Sequence, residues 1–149
     1  MSIEDDVALL ERVPTLRVLG HSALRVLAIG CEQRDFRRDE VMFKAGDAAD
    51  AGFVVQRGAF RISGEPGKKH EIVARPGTLI GELALIMAMP RPSTVVAIDA
   101  SSAIRISRSL FQRVLDSDPA AARRLRDEFA IRASQLSSDI VMVSSRLTS

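Results

Sequence analysis

Ile80-Gly-Glu-Leu-Ala-Leu-Ile-Met-Ala-Met-Pro-Arg-Pro-Ser-Thr-Val95 is the stretch around which this 149-residue chain is organised. Its first half is a glycine turn opening a short helix, with Glu82 the single charge in an apolar run. Its second half is a proline-flanked turn carrying Arg91, then two hydroxyls, Ser93 and Thr94, and a Val-Val-Ala-Ile strand. Glycine at position 81 lets backbone approach a ligand with no Cβ in the way. The N–H groups of Leu83 and Ala84, at the start of the helix, then face that ligand and favour an anion. The guanidinium of Arg91 completes such a pocket, because arginine matches phosphate oxygens bidentately and stays charged. Glu82 beside an anion makes sense if it accepts from a hydroxyl such as a ribose 2′-OH. Carboxylate for a sugar, arginine and amides for a phosphate: together they describe a nucleotide with a compact phosphate.

Outward from that stretch the periodicity sorts the chain into three parts. From about residue 34 to 107 short apolar runs recur between Gly/Pro/Asp turns: Glu40 to Phe43, Gly52 to Gln56, Ala59 to Ile62, Glu71 to Ala74, Thr94 to Ile98 and Ala103 to Ile106. Close-spaced strands with such turns predict a barrel or a two-sheet sandwich. Residues 1–33 carry helical spacing broken at Pro14 and Gly20, with Ser22 as an expected N-cap and Gly30 as a stop. Residues 108–149 return to helical spacing. Ser107 or Arg108 opens one helix, and Asp118-Pro119 caps and starts a second. In the second helix Phe129, Ala133, Leu136, Ile140, Val143 and Leu147 keep a heptad for about three repeats. That helix is expected to fold over the barrel as a lid, to form a homodimer seam, or simply to pack on the core. The polar loop from Gly64 to His70 reads as a solvated hairpin tip.

The cassette at 80–95 closely resembles the phosphate-binding cassette of the cyclic nucleotide-binding domain family. Gly81-Glu82-Leu83-Ala84-Leu85 and Pro90-Arg91-Pro92-Ser93-Thr94-Val95 carry the likeness. Phe43 to Asp47, Asp50, Phe53 to Val55, Gly58 and Arg75 to Gly81 extend it. The resemblance implies a mainly β fold with flanking helices: a β jelly-roll barrel with N-terminal helices, a short phosphate-binding helix and C-terminal lid helices. It implies that cAMP, and less readily cGMP, is bound by Gly81, Glu82, Leu83, Ala84, Arg91, Ser93 and Thr94. Glu82 would hold the ribose and Arg91 the cyclic phosphate. Pro92 departs from the pattern. Relatives use the backbone N–H of this position for the phosphate, and proline has none. The missing donor is worth roughly 1.5–3 kcal/mol unless the Ser93 or Thr94 hydroxyl replaces it. Relatives selective for cGMP place a threonine just after the arginine to contact guanine, and Pro92 cannot do that. By family analogy Ile62, Ile72 and Ile80 are weaker candidates for the wall around the base.

Composition sets the outer limits. At 46% hydrophobic and 27% charged the chain is globular, of one-domain length, and its net charge of +2 marks no nucleic-acid footprint. The single cysteine, Cys31, excludes an internal disulfide and fits a reducing compartment. No secretory leader or spanning segment is visible, so a cytoplasmic location is expected. His21 and His70 have no metal-ligand spacing, Cys31 has no nearby histidine, and no Gly-Lys-Ser/Thr loop is present. No metal, no enzymatic activity and no DNA or membrane partner are expected. The expected output is movement of the C-terminal helix, read by a separate effector protein or by the rest of a larger chain. The alternative is a degenerate member whose empty pocket serves protein interaction.

Overall fold

A computed structural model describes residues 2–63 and 71–132 of the chain. The expectations for the Gly64 to His70 loop and for the heptad positions from Ala133 onward lie outside the described residues. Three N-terminal helices lead in: α1 (Ile3–Glu11), α2 (Pro14–Arg17) and α3 (His21–Gly30). Ser2 caps α1, its hydroxyl accepting from the Asp5 N–H while the Asp5 side chain accepts from the Ser2 N–H. Pro14 opens α2, where its missing N–H costs nothing. Gly20, at φ +90°, precedes α3, so Ser22 lies inside the helix instead of capping it. A glycine can turn the chain sharply into the helix without a side-chain cap, and that possibility outweighed the serine signal.

Ten strands follow among the described residues: β1 (Glu32–Phe36), β2 (Val41–Phe43), β3 (Ala48–Ala49), β4 (Ala51–Arg57), β5 (Phe60–Ile62), β6 (Ile72–Ala74), β7 (Leu79–Ile80), β8 (Met89–Pro90), β9 (Val95–Ala97) and β10 (Ser101–Ser107). They form two antiparallel four-stranded sheets, ordered β1-β10-β4-β7 and β2-β9-β5-β6, with a small β3-β8 ladder at one end. This is the jelly-roll arrangement expected. Helix α4 (Arg108–Ser117) continues directly from β10. Ser107 caps it through the Leu110 N–H. Among the described residues a further helix, α5, covers 119–132, and Asp118 caps it through the Ala121 N–H.

Strand β4 explains why the molecule has two cores. Its residues are buried on both faces, as the near-continuous run Ala51-Gly-Phe-Val-Val55 requires. Ala51, Phe53 and Val55 point into the barrel with Phe36, Phe60, Val95 and Ala97. Val54, on the other face, meets Leu10, Leu16, Leu24, Leu27, Phe111 and Val114 from the helices. Strand β10 divides the same way, with Ala103 inside and Ile104 and Ile106 outside. The sheet is therefore sandwiched between a barrel interior and a helical layer. Strand β1 escaped the periodicity because only Phe36 of Glu32–Phe36 is buried, so its sequence shows no alternation.

Candidate functional site

The register of β4 with β7 sets Phe53 opposite Ile80, so the chain leaves the sheet at Gly81. Gly81 takes the left-handed conformation, φ +79° and ψ +40°, and a 3₁₀ turn over Glu82–Leu85 follows at once. A Cβ at this position would lie 2.7 Å from Nη1 of Arg91. The left-handed backbone therefore favours glycine here, and a Cβ would also force the Arg91 guanidinium to shift. The N–H of Ala84, expected to be free, donates to the Gly81 carbonyl at 3.1 Å, because the turn is 3₁₀ and closes one residue sooner than an α-helix.

Arg91 reaches this spot from the β3-β8 corner. Its N–H donates to the Asp47 carbonyl at 2.7 Å, and its carbonyl accepts from Gly46 at 2.8 Å. The side chain is only 5% exposed, and it lies over the Phe43 ring at 4.0 Å with the Phe53 ring at 5.8 Å. Its Nε has no hydrogen-bond partner, and the side chain joins no salt bridge among the described residues. Burial pulls its pKa down from the ordinary arginine value; Arg105 acts in the same direction, while Asp50 and Asp47 oppose it. A buried cation with two aromatic rings beside it, no ion pair among the described residues and only more distant carboxylates in Asp50 and Asp47 is an unfinished electrostatic arrangement. An anion would finish it.

Ala49, Gly81, Glu82, Leu83, Ala84, Met89, Arg91 and Pro92 line a cavity of about 210 Å³ at this point. The structure thus brings together Gly81, Glu82, Leu83, Ala84, Arg91 and Pro92. It does not bring the remaining candidates to the cavity wall. Ser93 is half-buried beside it, and the Thr94 hydroxyl accepts from the Ala45 N–H at 2.9 Å, bracing the neighbouring turn. Ile80 points into the barrel core. Ile62 and Ile72 face each other across β5 and β6, Ile62 partly buried against the core and Ile72 exposed. Ala49 and Met89, paired across the β3-β8 ladder, are lining residues that carried no sequence signal.

Glu82 is tied at its other side. Its Oε1 accepts from the Thr15 hydroxyl at 2.9 Å and from Nη1 of Arg132 at 2.8 Å. Arg132 also donates from Nη2 to the Thr15 oxygen at 2.6 Å. Arg108, at the start of α4, donates to the carbonyls of Ala49 at 2.9 Å and Met87 at 3.1 Å, fastening the cassette to the sheet edge. Beyond the turn, Leu85, Ile86, Leu115, Leu125 and Phe129 line an apolar groove shared with α4 and α5. The cassette is thus in contact with both helical ends of the chain.

Comparison with known proteins meets this geometry directly: the profile of the cyclic nucleotide-binding domain matches residues 33–118. The chain belongs to the cyclic nucleotide-binding domain family. Among solved structures, a cyclic nucleotide-binding-like protein from Brucella abortus is 33% identical, with a TM-score of 0.64 over 75% of this chain and 98% of that one. The N-terminal domain of a transcriptional regulator from Streptomyces coelicolor A3(2) is 24% identical, with a TM-score of 0.81 over 89% and 94%, and shares the fold. Among curated proteins, the HTH-type transcriptional regulator Cmr of Mycobacterium tuberculosis is 28% identical over 110 residues, 72% of this chain and 45% of its own length. The cAMP-dependent protein kinase regulatory subunit of Dictyostelium discoideum is 29% identical over 111 residues, 70% of this chain and 34% of its own. The chain therefore spans less than half the length of these two curated relatives. The family is one of regulatory binding domains, and the cavity at Gly81 and Arg91 lies within the matched residues. Among the described residues no group of His, Cys, Asp or Glu is arranged to hold a metal, and no helix is long and apolar enough to cross a membrane.

Proposed function

We propose that the chain is a cyclic-nucleotide sensor that takes cAMP in preference to cGMP. Residues 1–149 act as a single binding domain in the cytoplasm and carry out no chemistry on the ligand. The observation that carries this reading is Arg91, buried with an unpartnered Nε and no ion pair among the described residues, beneath a glycine that leaves it room. The cyclic phosphate seats on Arg91 and on the open side of the Gly81 turn. The ribose is read by Glu82, with the Ser93 hydroxyl near the phosphate. The preference for cAMP follows from Pro92, which offers guanine no hydroxyl. The signal leaves through α5, because Leu85 and Ile86 of the cassette share a groove with Leu125 and Phe129. Ligand that favours one placement of α5 shifts its population by the difference in affinity for the two placements. A separate effector protein, or further chain of the kind the longer relatives possess, reads that movement.

Isothermal titration with cAMP and cGMP at micromolar protein tests the reading. Saturable heat with cAMP, and weaker or no heat with cGMP, is the expected result. A second reading, an empty pocket serving as a protein-interaction module, is favoured by Pro92 alone, since it removes a phosphate donor. Absence of binding to either nucleotide up to millimolar concentration would select it.

A further inference from the structure

We propose that Thr15 and Arg132 are positioning residues for the ribose contact of Glu82, so that reading of the sugar hydroxyl requires the N-terminal and C-terminal helices to meet at the cassette. The inference rests on the cyclic-nucleotide reading above and deepens it. Three side chains form a closed ring: Thr15 donates to Oε1 of Glu82, Arg132 donates to the same oxygen through Nη1, and Arg132 donates through Nη2 to the Thr15 oxygen. Thr15 is 3% exposed, and its hydroxyl is used both as donor and as acceptor, which leaves it no other orientation. Both internal donors converge on Oε1. Oε2 of Glu82 makes no hydrogen bond among the described residues and is left to accept from a ligand.

Arg132 has two further neighbours on its own helix. Its Nε lies 3.7 Å from Glu128 one turn earlier, and its guanidinium lies 5.6 Å from the Phe129 ring centroid. About two turns earlier on α5, Arg124 donates to the carbonyls of Val18 and Leu19 at 2.8 and 2.7 Å, joining α5 to the end of α2. The helix that presents Arg132 is thus anchored on the segment that presents Thr15. A carboxylate held by two donors on one oxygen has its second oxygen aimed by geometry rather than by chance, which is what recognition of a single hydroxyl needs.

Binding of cAMP and of 2′-deoxy-cAMP to the full chain tests this, since the two ligands differ only in the hydroxyl that Glu82 would read. Wild type should prefer cAMP by about tenfold or more, the size of one hydrogen bond to a charged group. Thr15→Val and Arg132→Met should each weaken cAMP and leave 2′-deoxy-cAMP nearly unchanged, so that the preference falls below about threefold. Thr15→Ser keeps the hydroxyl and should restore it. Arg132 is partly exposed on its helix, so Arg132→Met carries the test if Thr15→Val does not fold. Equal weakening of both ligands, or a preference that survives both substitutions, would overturn the inference and leave the sensor reading intact. A wild type that binds both ligands equally would overturn the inference together with the ribose contact assigned to Glu82, while leaving nucleotide binding at Arg91 intact. A wild type that binds neither would instead overturn the sensor reading from which the inference starts.

Discussion

Replacing Arg91 with methionine separates what the side chain does for the ligand from what it does for the fold. In the free protein the guanidinium stacks on Phe43, an interaction worth about 0.5–2 kcal/mol, but its Nε is buried without a partner, which costs about 1–3 kcal/mol. These offset each other, and a methionine of similar length fills the space between the Phe43 and Phe53 rings. The stability of the free variant should therefore lie within about 1 kcal/mol of wild type, or above it. The ligand tells a different story. Wild type held at a hundred times its Kd of cAMP is stabilised by about 2.7 kcal/mol, or about 5–10 °C in Tm for a domain of this length. Losing a charge-assisted contact of roughly 1.5–3 kcal/mol weakens binding by about 10–150-fold. At a hundredfold loss the same cAMP concentration equals one Kd, and stabilisation falls to about 0.4 kcal/mol, close to 1 °C. Thermal unfolding of both proteins with and without cAMP measures all four quantities. A variant that keeps the full cAMP shift would mean the phosphate sits elsewhere. A free variant destabilised by more than about 2 kcal/mol would mean that Arg91 is compensated in a way the geometry does not show.

Three further outcomes are expected. Gly81→Ala forces a left-handed backbone onto a residue with a Cβ and pushes that Cβ to within 2.7 Å of the arginine, so denaturant unfolding should show a loss of about 1–2 kcal/mol, with cAMP affinity reduced several-fold. Pro92→Ala supplies the missing N–H and should tighten cAMP by about tenfold in titration; an unchanged Kd would show that this amide does not face the phosphate. Burial, with Asp6 nearby, pushes the Cys31 thiol up to about 11. Its neutral form is therefore favoured in the folded state. That contribution to stability is complete below the free-thiol value near 9 and is lost as pH climbs through about 11, and iodoacetamide alkylation of native protein should rise along the same range instead of near pH 9.

Much of the fold was legible because its signals are local. The short apolar runs ending at Phe43, Gln56, Ile62 and Ala74 became β2, β4, β5 and β6, and Asp118-Pro119 started α5 as the capping rules require. The glycine turn at Gly81 was legible for the same reason, a single residue without a Cβ, while its left-handed conformation appears only in the structure. Elements without a local signature were not. Strand β1 is polar because Glu32 to Asp35 are all exposed and only Phe36 is buried, and β3, β7 and β8 are two residues long, held by their partners more than by their own composition.

What the sequence by itself determined is the set of groups available at the cassette: a glycine, a carboxylate and a guanidinium at a spacing that one turn can gather. Only the tertiary structure decided how those groups are supported. Phe43 beneath Arg91 comes from a different sheet, and Thr15 and Arg132 arrive at Glu82 from 67 residues before and 50 residues after it. Hydrogen bonds between side chains so far apart leave no periodicity and no motif, because their geometry exists only after the helices have packed on the outer face of β4 and β10. The binding chemistry is encoded within sixteen consecutive residues, from Ile80 to Val95, while its orientation is a property of the folded chain.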